Sequence, residues 1–154
     1  MQRLKKHYRK VSMVDKVANI LLVEDDMLDI MQIERTLTKL NIVHKLYIAK
    51  NGQEALSLLR GEGVEKIQPL PSLIMLDINM PKMDGFEFLT ILRQDQELKN
   101  IKVFIMTTSN QEEDKNVAKN LGVSGYVVKP LNLTNPTSSM DSFSLMIDLL
   151  NLKK

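Results

Sequence analysis

Four places in the sequence carry side chains suited to binding a hard cation and transferring a phosphoryl group. An acidic run, Glu24 to Asp26, follows one short apolar run, and Asp77 follows another. Thr107 and Lys129 stand in the same position after two later apolar runs. If these runs are strands of one parallel sheet, the four places meet at its carboxyl edge, where such sheets bind their ligands.

Carboxylates brought together at that edge need a cation between them. Two unit charges about 4 Å apart repel by roughly 1 to 4 kcal/mol at effective dielectric constants of about 80 to 20. Oxygen ligands favour Mg²⁺, which is held by one or two carboxylates together with water and phosphoryl oxygens. The sequence has no cysteine, and His7 and His44 lack partners at ligand spacing. We therefore expect a Mg²⁺ site, with Mn²⁺ as the alternative ion.

Asp77 is the predicted nucleophile of this site. A carboxylate can form an acyl phosphate, and the reaction depends mainly on positioning and on neutralising the charge of the transferred group. Lys129 and the Thr107 hydroxyl would bind phosphoryl oxygens that the metal ion leaves free. A single acid after a strand is more often a helix cap, so the prediction rests on the whole set and on the turn signals Met80-Pro81 and Asp84-Gly85 that follow Asp77.

The elements that would position these residues alternate between strand-like and helix-like patterns, which indicates βα units and a parallel sheet. The predicted strands are Ile20 to Val23, Lys45 to Ala49, Leu73 to Leu76, Val103 to Met106 and Tyr126 to Val128. Continuously apolar strands are typical of a sheet covered on both faces. We predict a doubly wound α/β fold with a five-stranded parallel sheet, and by analogy with flavodoxin-like proteins we adopt the strand order 2-1-3-4-5.

Apolar residues at three- and four-residue spacing predict amphipathic helices between the strands. The clearest repeats are Ile30, Ile33, Leu37 and Leu40, and then Phe86, Leu89 and Leu92. Asn51-Gly52 and Ser109-Asn110 are predicted to cap the second and fourth helices. Gly122 is placed to end the fourth helix, and the apolar pattern of a last helix begins at Phe143.

Charge divides the chain into a basic start and a mildly acidic remainder. With 154 residues, 44% hydrophobic and 26% charged, the chain has the size and composition of one globular domain. Residues 1–18 carry six Lys/Arg and one acid, a net charge of +5, which leaves −3 for the rest of a chain whose total is +2. We predict a flexible or dispensable extension over 1–18 and a folded domain over 19–151. A basic arm that binds an acidic partner is the alternative for the extension.

The apolar runs are too short for a membrane protein. None approaches the roughly 20 residues that a membrane-spanning helix needs. Asp15 and Lys16 interrupt the segment where a signal peptide would place its apolar core. The absence of cysteine fits a reducing compartment. We expect a cytoplasmic protein.

Four segments together resemble the CheY-like receiver domains of two-component response regulators: LLVEDD, LIMLDINMPKMDGFEFL, FIMTTS and GYVVKP. The resemblance covers about residues 19 to 151. It implies that Glu24 and Asp25 are the acidic pair, with Asp25 binding the metal directly and Glu24 more often through water, and it leaves Asp26 outside the site. It also implies that Asp77 is the phosphoacceptor and that the main-chain carbonyl of Asn79 is a metal ligand.

The resemblance assigns further roles around the phosphoryl group. They are a switch pair, a phosphoryl-binding cation, two residues that tune hydrolysis of the acyl phosphate, and a cis peptide bond before proline. The residues are Thr107 and Tyr126 for the switch, Lys129 for phosphoryl binding, Asn79 and Ser109 for tuning, and Pro130 for the cis bond.

The implied function is that of a single-domain response regulator in a two-component phosphorelay, which catalyses only its own phosphorylation and dephosphorylation. Its phosphoryl donor would be a sensor histidine kinase or a histidine phosphotransfer protein. A downstream protein would bind the face made by the fourth helix, fifth strand and fifth helix, and no DNA-binding domain is expected. LLVEDD with Asp29 is similar to single-domain receivers linked to bacterial phytochromes.

Two other classes remain as alternatives. A phosphatase of the haloacid-dehalogenase type also uses an Asp nucleophile, but that family has a second acid where this chain has Asn79. A degenerate receiver would serve only as a binding module. Its expected substitutions at the acidic pair, the acceptor, the threonine or the lysine are absent from the sequence.

Overall fold

Strands and helices alternate in the computed structural model of the chain, which describes residues 17–42 and 44–129. In chain order the elements are β1 (Ala18–Val23), α1 (Met27–Lys39), β2 (His44–Ala49), α2 (Gly52–Arg60), β3 (Leu73–Leu76), α3 (Gly85–Gln94), β4 (Lys102–Thr107), α4 (Glu112–Asn120) and β5 (Gly125–Val128). All five predicted strands are confirmed, with ends within two residues of those predicted. The predicted last helix and Pro130 lie outside the described residues.

The strands form one parallel sheet in the order β2-β1-β3-β4-β5, which confirms the predicted doubly wound α/β fold. Val23 of β1 pairs with Leu76 of β3, and Leu76 pairs with Ile105 of β4. Thr107 at the end of β4 pairs with Val128 at the end of β5. This register aligns the carboxyl ends of the strands, so the residues that follow them share one edge of the sheet.

Both faces of the sheet are covered by helices. Alternate residues of a strand point to opposite faces, and accordingly Leu21 and Val23 pack in a cluster with α2 and α3, whereas Ile20 and Leu22 pack in a cluster with α1. Every residue of β1 is buried. Burial stabilises the fold by about 1.5 to 3 kcal/mol for each large apolar side chain. β1 therefore does not meet water on either face, and the residue that follows it starts from a buried position.

Short polar side chains start α1, α2 and α3. Asp26, Asn51 and Asp84 each accept hydrogen bonds from main-chain N–H groups in the first turn of these helices, groups that lack a partner within the helix. The predicted capping of α4 by Ser109-Asn110 is wrong. The helix begins after Gln111, whose side chain makes no capping hydrogen bond. The Ser109 hydroxyl oxygen accepts a hydrogen bond from the Gln111 N–H at 3.4 Å, which lies before the first helical residue.

Within residues 17–42 and 44–129, no helix is both long and apolar enough to cross a membrane. The cytoplasmic location stays a prediction. The same holds for the division of the chain at residue 18 and for the role of the basic extension.

Candidate phosphoryl-accepting site

Glu24 is buried directly after β1, and both of its carboxylate oxygens accept hydrogen bonds. Oε2 accepts from the main-chain N–H groups of Asp25 at 3.1 Å and Asp26 at 3.2 Å. Oε1 accepts from Lys129 Nζ at 2.5 Å. The side chain of Glu24 is only 2% exposed. Burying a carboxylate to this extent is costly, and these donors replace part of the water that it has lost.

Asp77 lies beside Glu24 because its N–H donates to the Val23 carbonyl at 3.0 Å. Its Oδ1 accepts a hydrogen bond from the Asn79 N–H at 3.2 Å. Its Oδ2 lies 3.5 Å from Lys129 Nζ. The residue is 7% exposed. The predicted nucleophile is therefore buried at the carboxyl edge of the sheet, next to a cation.

Glu24, Asp25 and Asp77 form the acidic cluster of the site. One carboxylate oxygen from each lies within 4.8 Å of the others, so the acidic cluster could hold a divalent metal ion. Asp25 is exposed, whereas the other two are buried, which would give an ion protein ligands on one side and water on the other. Mg²⁺ commonly keeps several of its waters in this way. Asp26 is not part of the cluster.

Lys129 connects the acidic cluster to one more carboxylate, that of Asp29. Its ammonium donates to Glu24 Oε1 at 2.5 Å and to Asp29 Oδ2 at 2.7 Å, and lies 3.5 Å from Asp77 Oδ2. We did not predict Asp29 as a site residue. The available signal was its place in the first turn of α1, next to the acidic run. Side chains there point back over the start of the helix.

The pKa values of Glu24 and Lys129 follow from this burial and pairing. Burial raises the pKa of Glu24 from 4.5 to about 7, and the neighbouring charge of Asp77 adds to the increase, although the hydrogen bond from Lys129 opposes both. For Lys129, burial lowers the pKa, but the hydrogen bonds to Asp29 and Glu24 outweigh burial and raise it above its ordinary value. Lys129 is therefore charged at neutral pH, whereas Glu24 changes protonation near neutrality.

Without bound metal, the protein is expected to lose stability as the pH rises from 4.5 to 7. The folded pKa of Glu24, about 7, lies above its ordinary value of 4.5. In this window the folded protein keeps a proton that the unfolded chain has released, so the free energy of unfolding falls as the pH rises. The contribution of the Glu24 proton to the free energy of unfolding is about 3 kcal/mol. It is fully present below pH 4.5 and is lost by about pH 7.

Urea unfolding in the presence of EDTA, repeated across this pH range, measures the effect. Glu24→Gln provides the comparison because its amide does not ionise. We expect the stability of the wild type to fall more steeply with pH than that of Glu24→Gln. Parallel profiles for the two proteins would contradict the assignment of the buried proton to Glu24.

The predicted switch residues are joined by hydrogen bonds at the ends of β4 and β5. Thr107 is fully buried, and its Oγ1 accepts from the Ser109 N–H at 3.4 Å. The Tyr126 hydroxyl donates to the Ser109 carbonyl at 3.0 Å, and burial raises the pKa of this hydroxyl. The Thr107 carbonyl accepts from the Lys129 N–H at 2.7 Å, which links this group to the acidic cluster.

Asp114 extends the switch group into α4, and we did not predict its participation. Its Oδ2 accepts a hydrogen bond from the Ser109 hydroxyl at 2.5 Å. Asp114 lies in the first turn of α4. The hydroxyl that was predicted to cap this helix therefore donates to an acidic side chain of its first turn, and its oxygen accepts from the Gln111 N–H just before the helix. The sequence offered one signal for this contact, an acid five positions after Ser109.

The family of the chain follows from comparison with known proteins. The response regulator receiver domain family matches residues 20–139. The chain belongs to this family and is a receiver domain of two-component signalling.

Two curated relatives illustrate the range of the similarity. The response regulator Rcp1 of Synechocystis sp. is 40% identical over 114 residues, which cover 74% of this chain and 78% of Rcp1. The protein PilH of Pseudomonas aeruginosa is 33% identical over 116 residues, covering 75% of this chain and 88% of PilH.

Solved structures agree with this family. The Mn²⁺-bound form of Rcp1 superposes with a TM-score of 0.73 at 34% identity, covering 89% of this chain and 96% of that one. The phosphorylated cyanobacterial phytochrome response regulator RcpA superposes with a TM-score of 0.74 at 33% identity, covering 87% and 94%.

Proposed function

We propose that this receiver domain is a phosphoryl-accepting switch, in which Asp77 takes a phosphoryl group from a histidine kinase or a histidine phosphotransfer protein. The observation that carries the proposal is a buried Asp77 that lies 3.5 Å from the Lys129 ammonium and belongs to an acidic cluster able to hold a divalent ion. The similarity to a relative solved with Mn²⁺ and to one solved in its phosphorylated form supports it.

The transfer moves a phosphoryl group from nitrogen to oxygen. The N–P bond of a donor phosphohistidine breaks, an O–P bond to a carboxylate oxygen of Asp77 forms, and the donor imidazole takes up a proton. Bound by the acidic cluster and the Asn79 carbonyl, a Mg²⁺ or Mn²⁺ ion would neutralise charge on the transferred group. Lys129 binds one phosphoryl oxygen as a compact cation, and the Thr107 hydroxyl binds another.

The chain would catalyse only its own phosphorylation and dephosphorylation. Hydrolysis breaks the O–P bond of the aspartyl phosphate, releases inorganic phosphate and restores the Asp77 carboxylate. Asn79 and Ser109 would tune the rate of this step. Their main-chain N–H groups already bind Asp77 Oδ1 and Thr107 Oγ1, respectively, so both residues adjoin groups that act on the phosphoryl group.

The switch would act through Thr107 and Tyr126. A phosphoryl group shifts a conformational equilibrium only by its differential contacts with the two states. We propose that Thr107 moves toward the phosphoryl group and that Tyr126 fills the space it leaves, giving up its 3.0 Å hydrogen bond to the Ser109 carbonyl. This would reshape the face of α4, β5 and the predicted last helix for a downstream protein. A change from 1:99 to 99:1 requires about 5.5 kcal/mol of differential stabilisation.

Intact mass and two-dimensional NMR of the full chain test this function directly. With Mg²⁺ and acetyl phosphate, the mass should rise by one phosphoryl group, and the amide resonances around Thr107, Ser109 and Tyr126 should shift. Neither change should occur when EDTA replaces Mg²⁺. An unchanged mass and spectrum with Mg²⁺ would overturn the proposal and would instead favour a receiver that acts only as a binding module.

A further inference from the structure

Asp29 makes a contact that the proposed chemistry does not use. Its Oδ2 accepts a hydrogen bond from Lys129 Nζ at 2.7 Å, whereas the distance from the same ammonium to Asp77 Oδ2 is 3.5 Å. The Asp29 side chain is 30% exposed, and the Lys129 side chain is 9% exposed. The ammonium that should serve the phosphoryl group is therefore held more closely by a carboxylate on α1 than by the acceptor.

Asp29 is also distinct from the metal ligands. The carboxylates whose oxygens lie within 4.8 Å of one another are those of the acidic cluster, Glu24, Asp25 and Asp77. The Asp29 carboxylate accepts a hydrogen bond from Lys129. Asp29 therefore acts on the site through Lys129, because its carboxylate pairs with the lysine ammonium.

We propose that Asp29 is a positioning residue that restrains Lys129 in the unphosphorylated protein and competes with the phosphoryl group for its ammonium. The proposal rests on the proposed function. An ammonium has three N–H donors, and here it faces three carboxylates, those of Glu24, Asp29 and Asp77. A phosphoryl group on Asp77 would take the donor that now lies 3.5 Å from Asp77 Oδ2. Approach of the ammonium to that group lengthens its hydrogen bonds to the nearer Glu24 and Asp29 carboxylates, which resist the movement.

The competition sets how strongly the site retains a phosphoryl group. An interaction present only in the unmodified state stabilises that state and lowers the apparent affinity for the modified one. Asp29 contributes in two ways, because it occupies a donor of Lys129 and because its negative charge opposes the incoming anion. Removing the Asp29 charge should therefore favour the phosphoryl-bound form without adding any contact to the phosphoryl group.

Beryllofluoride, which imitates a phosphoryl group on a carboxylate, tests the proposal in the full chain. In excess Mg²⁺, Asp29→Asn should bind beryllofluoride about threefold to tenfold more tightly than the wild type in an NMR titration. Asp26→Asn is the matched control. It removes one charge from the same end of α1, keeps a good capping side chain, and alters a residue that binds Leu28 and Asp29 N–H groups instead of Lys129. Its affinity should stay within twofold of the wild type.

A second readout needs neither metal nor beryllofluoride. Hydrogen bonds slow the exchange of ammonium protons with water, so the Lys129 ammonium should exchange faster in Asp29→Asn than in the wild type or in Asp26→Asn, as measured by ¹⁵N NMR of the lysine side chain. Asp29→Glu, which keeps the charge, should restore most of the protection and most of the wild-type affinity for beryllofluoride.

The outcomes separate this inference from the proposed function. If the wild type itself fails to bind beryllofluoride in Mg²⁺, the proposed function fails and this inference fails with it. If the wild type binds but Asp29→Asn has equal or weaker affinity, the proposed function stands and the inference is overturned. If Asp26→Asn and Asp29→Asn raise the affinity for beryllofluoride by the same factor, the inference is also overturned. Loss of any negative charge near the site would then explain the effect.

Discussion

Replacing Asp77 with Asn is expected to abolish Mg²⁺-dependent phosphorylation of the chain. The substitution keeps the size of the side chain but removes the nucleophilic carboxylate, and an amide does not form an acyl phosphate. It also removes one member of the acidic cluster and the Asp77 charge that helps to raise the pKa of Glu24. We expect no gain of mass with acetyl phosphate, a loss of at least about 100-fold in initial rate, and a Glu24 pKa below that of the wild type.

Asp84→Asn is the control for this loss. Asp84 lies in the same loop and caps α3 through a hydrogen bond from the Glu87 N–H at 2.9 Å. Asn is an equally good capping residue. The variant therefore loses one negative charge, as Asp77→Asn does, but α3 keeps its N-cap. It should be phosphorylated like the wild type. Continued labelling of Asp77→Asn would contradict the assignment, and peptide mapping would then identify the true acceptor.

The strands, and the proximity of the residues that follow them, could be predicted from the sequence for the same physical reason. A sheet covered on both faces requires apolar strands, and such runs are easily located. The residue that follows a strand then has a known place at the carboxyl edge, which is why Glu24, Asp77 and Lys129 could be predicted to meet. The order of the strands was adopted by analogy, since apolar patterns alone do not specify which strands are neighbours.

The contacts that the sequence analysis missed depend on side-chain geometry between elements. Asp29 and Asp114 each stand in the first turn of a helix, where an acid also has a local explanation in the positive end of the helix dipole. Their contacts with Lys129 and Ser109 depend on where α1 and α4 lie relative to the strand ends. The wrong cap at Ser109 has another origin. The helix begins after Gln111, so the Ser109 oxygen accepts from the Gln111 N–H, before the first helical residue.

Gly85 holds the loop after Asp77 against the start of α3. A Cβ atom at this position would lie 2.5 Å from Ile78 Cα and 2.6 Å from the Asp77 carbonyl oxygen, both of them main-chain atoms. The Gly85 N–H donates to the Ile78 carbonyl at 3.1 Å. Close approach of two main-chain segments therefore requires glycine here, and the segment that would have to move carries the predicted phosphoacceptor.

Gly85→Ala is therefore expected to destabilise the protein by about 3 kcal/mol and to slow phosphorylation of Asp77, because relief of the overlap displaces the Asp77 main chain. Gly52→Ala is the matched comparison, since both glycines directly follow a capping residue. Its Cβ would meet Phe88 Cβ at 2.8 Å and the Met83 side chain at 2.9 to 3.0 Å. The methionine is flexible, but Phe88 Cβ moves only with its helix, so urea unfolding should also show a loss for Gly52→Ala, about 1 to 3 kcal/mol. None of these atoms belongs to the main chain of Asp77 or Ile78, so the rate of phosphorylation should stay near that of the wild type. Equal slowing of phosphorylation in both variants would mean that overlap with the Asp77 main chain is not what slows the reaction in Gly85→Ala.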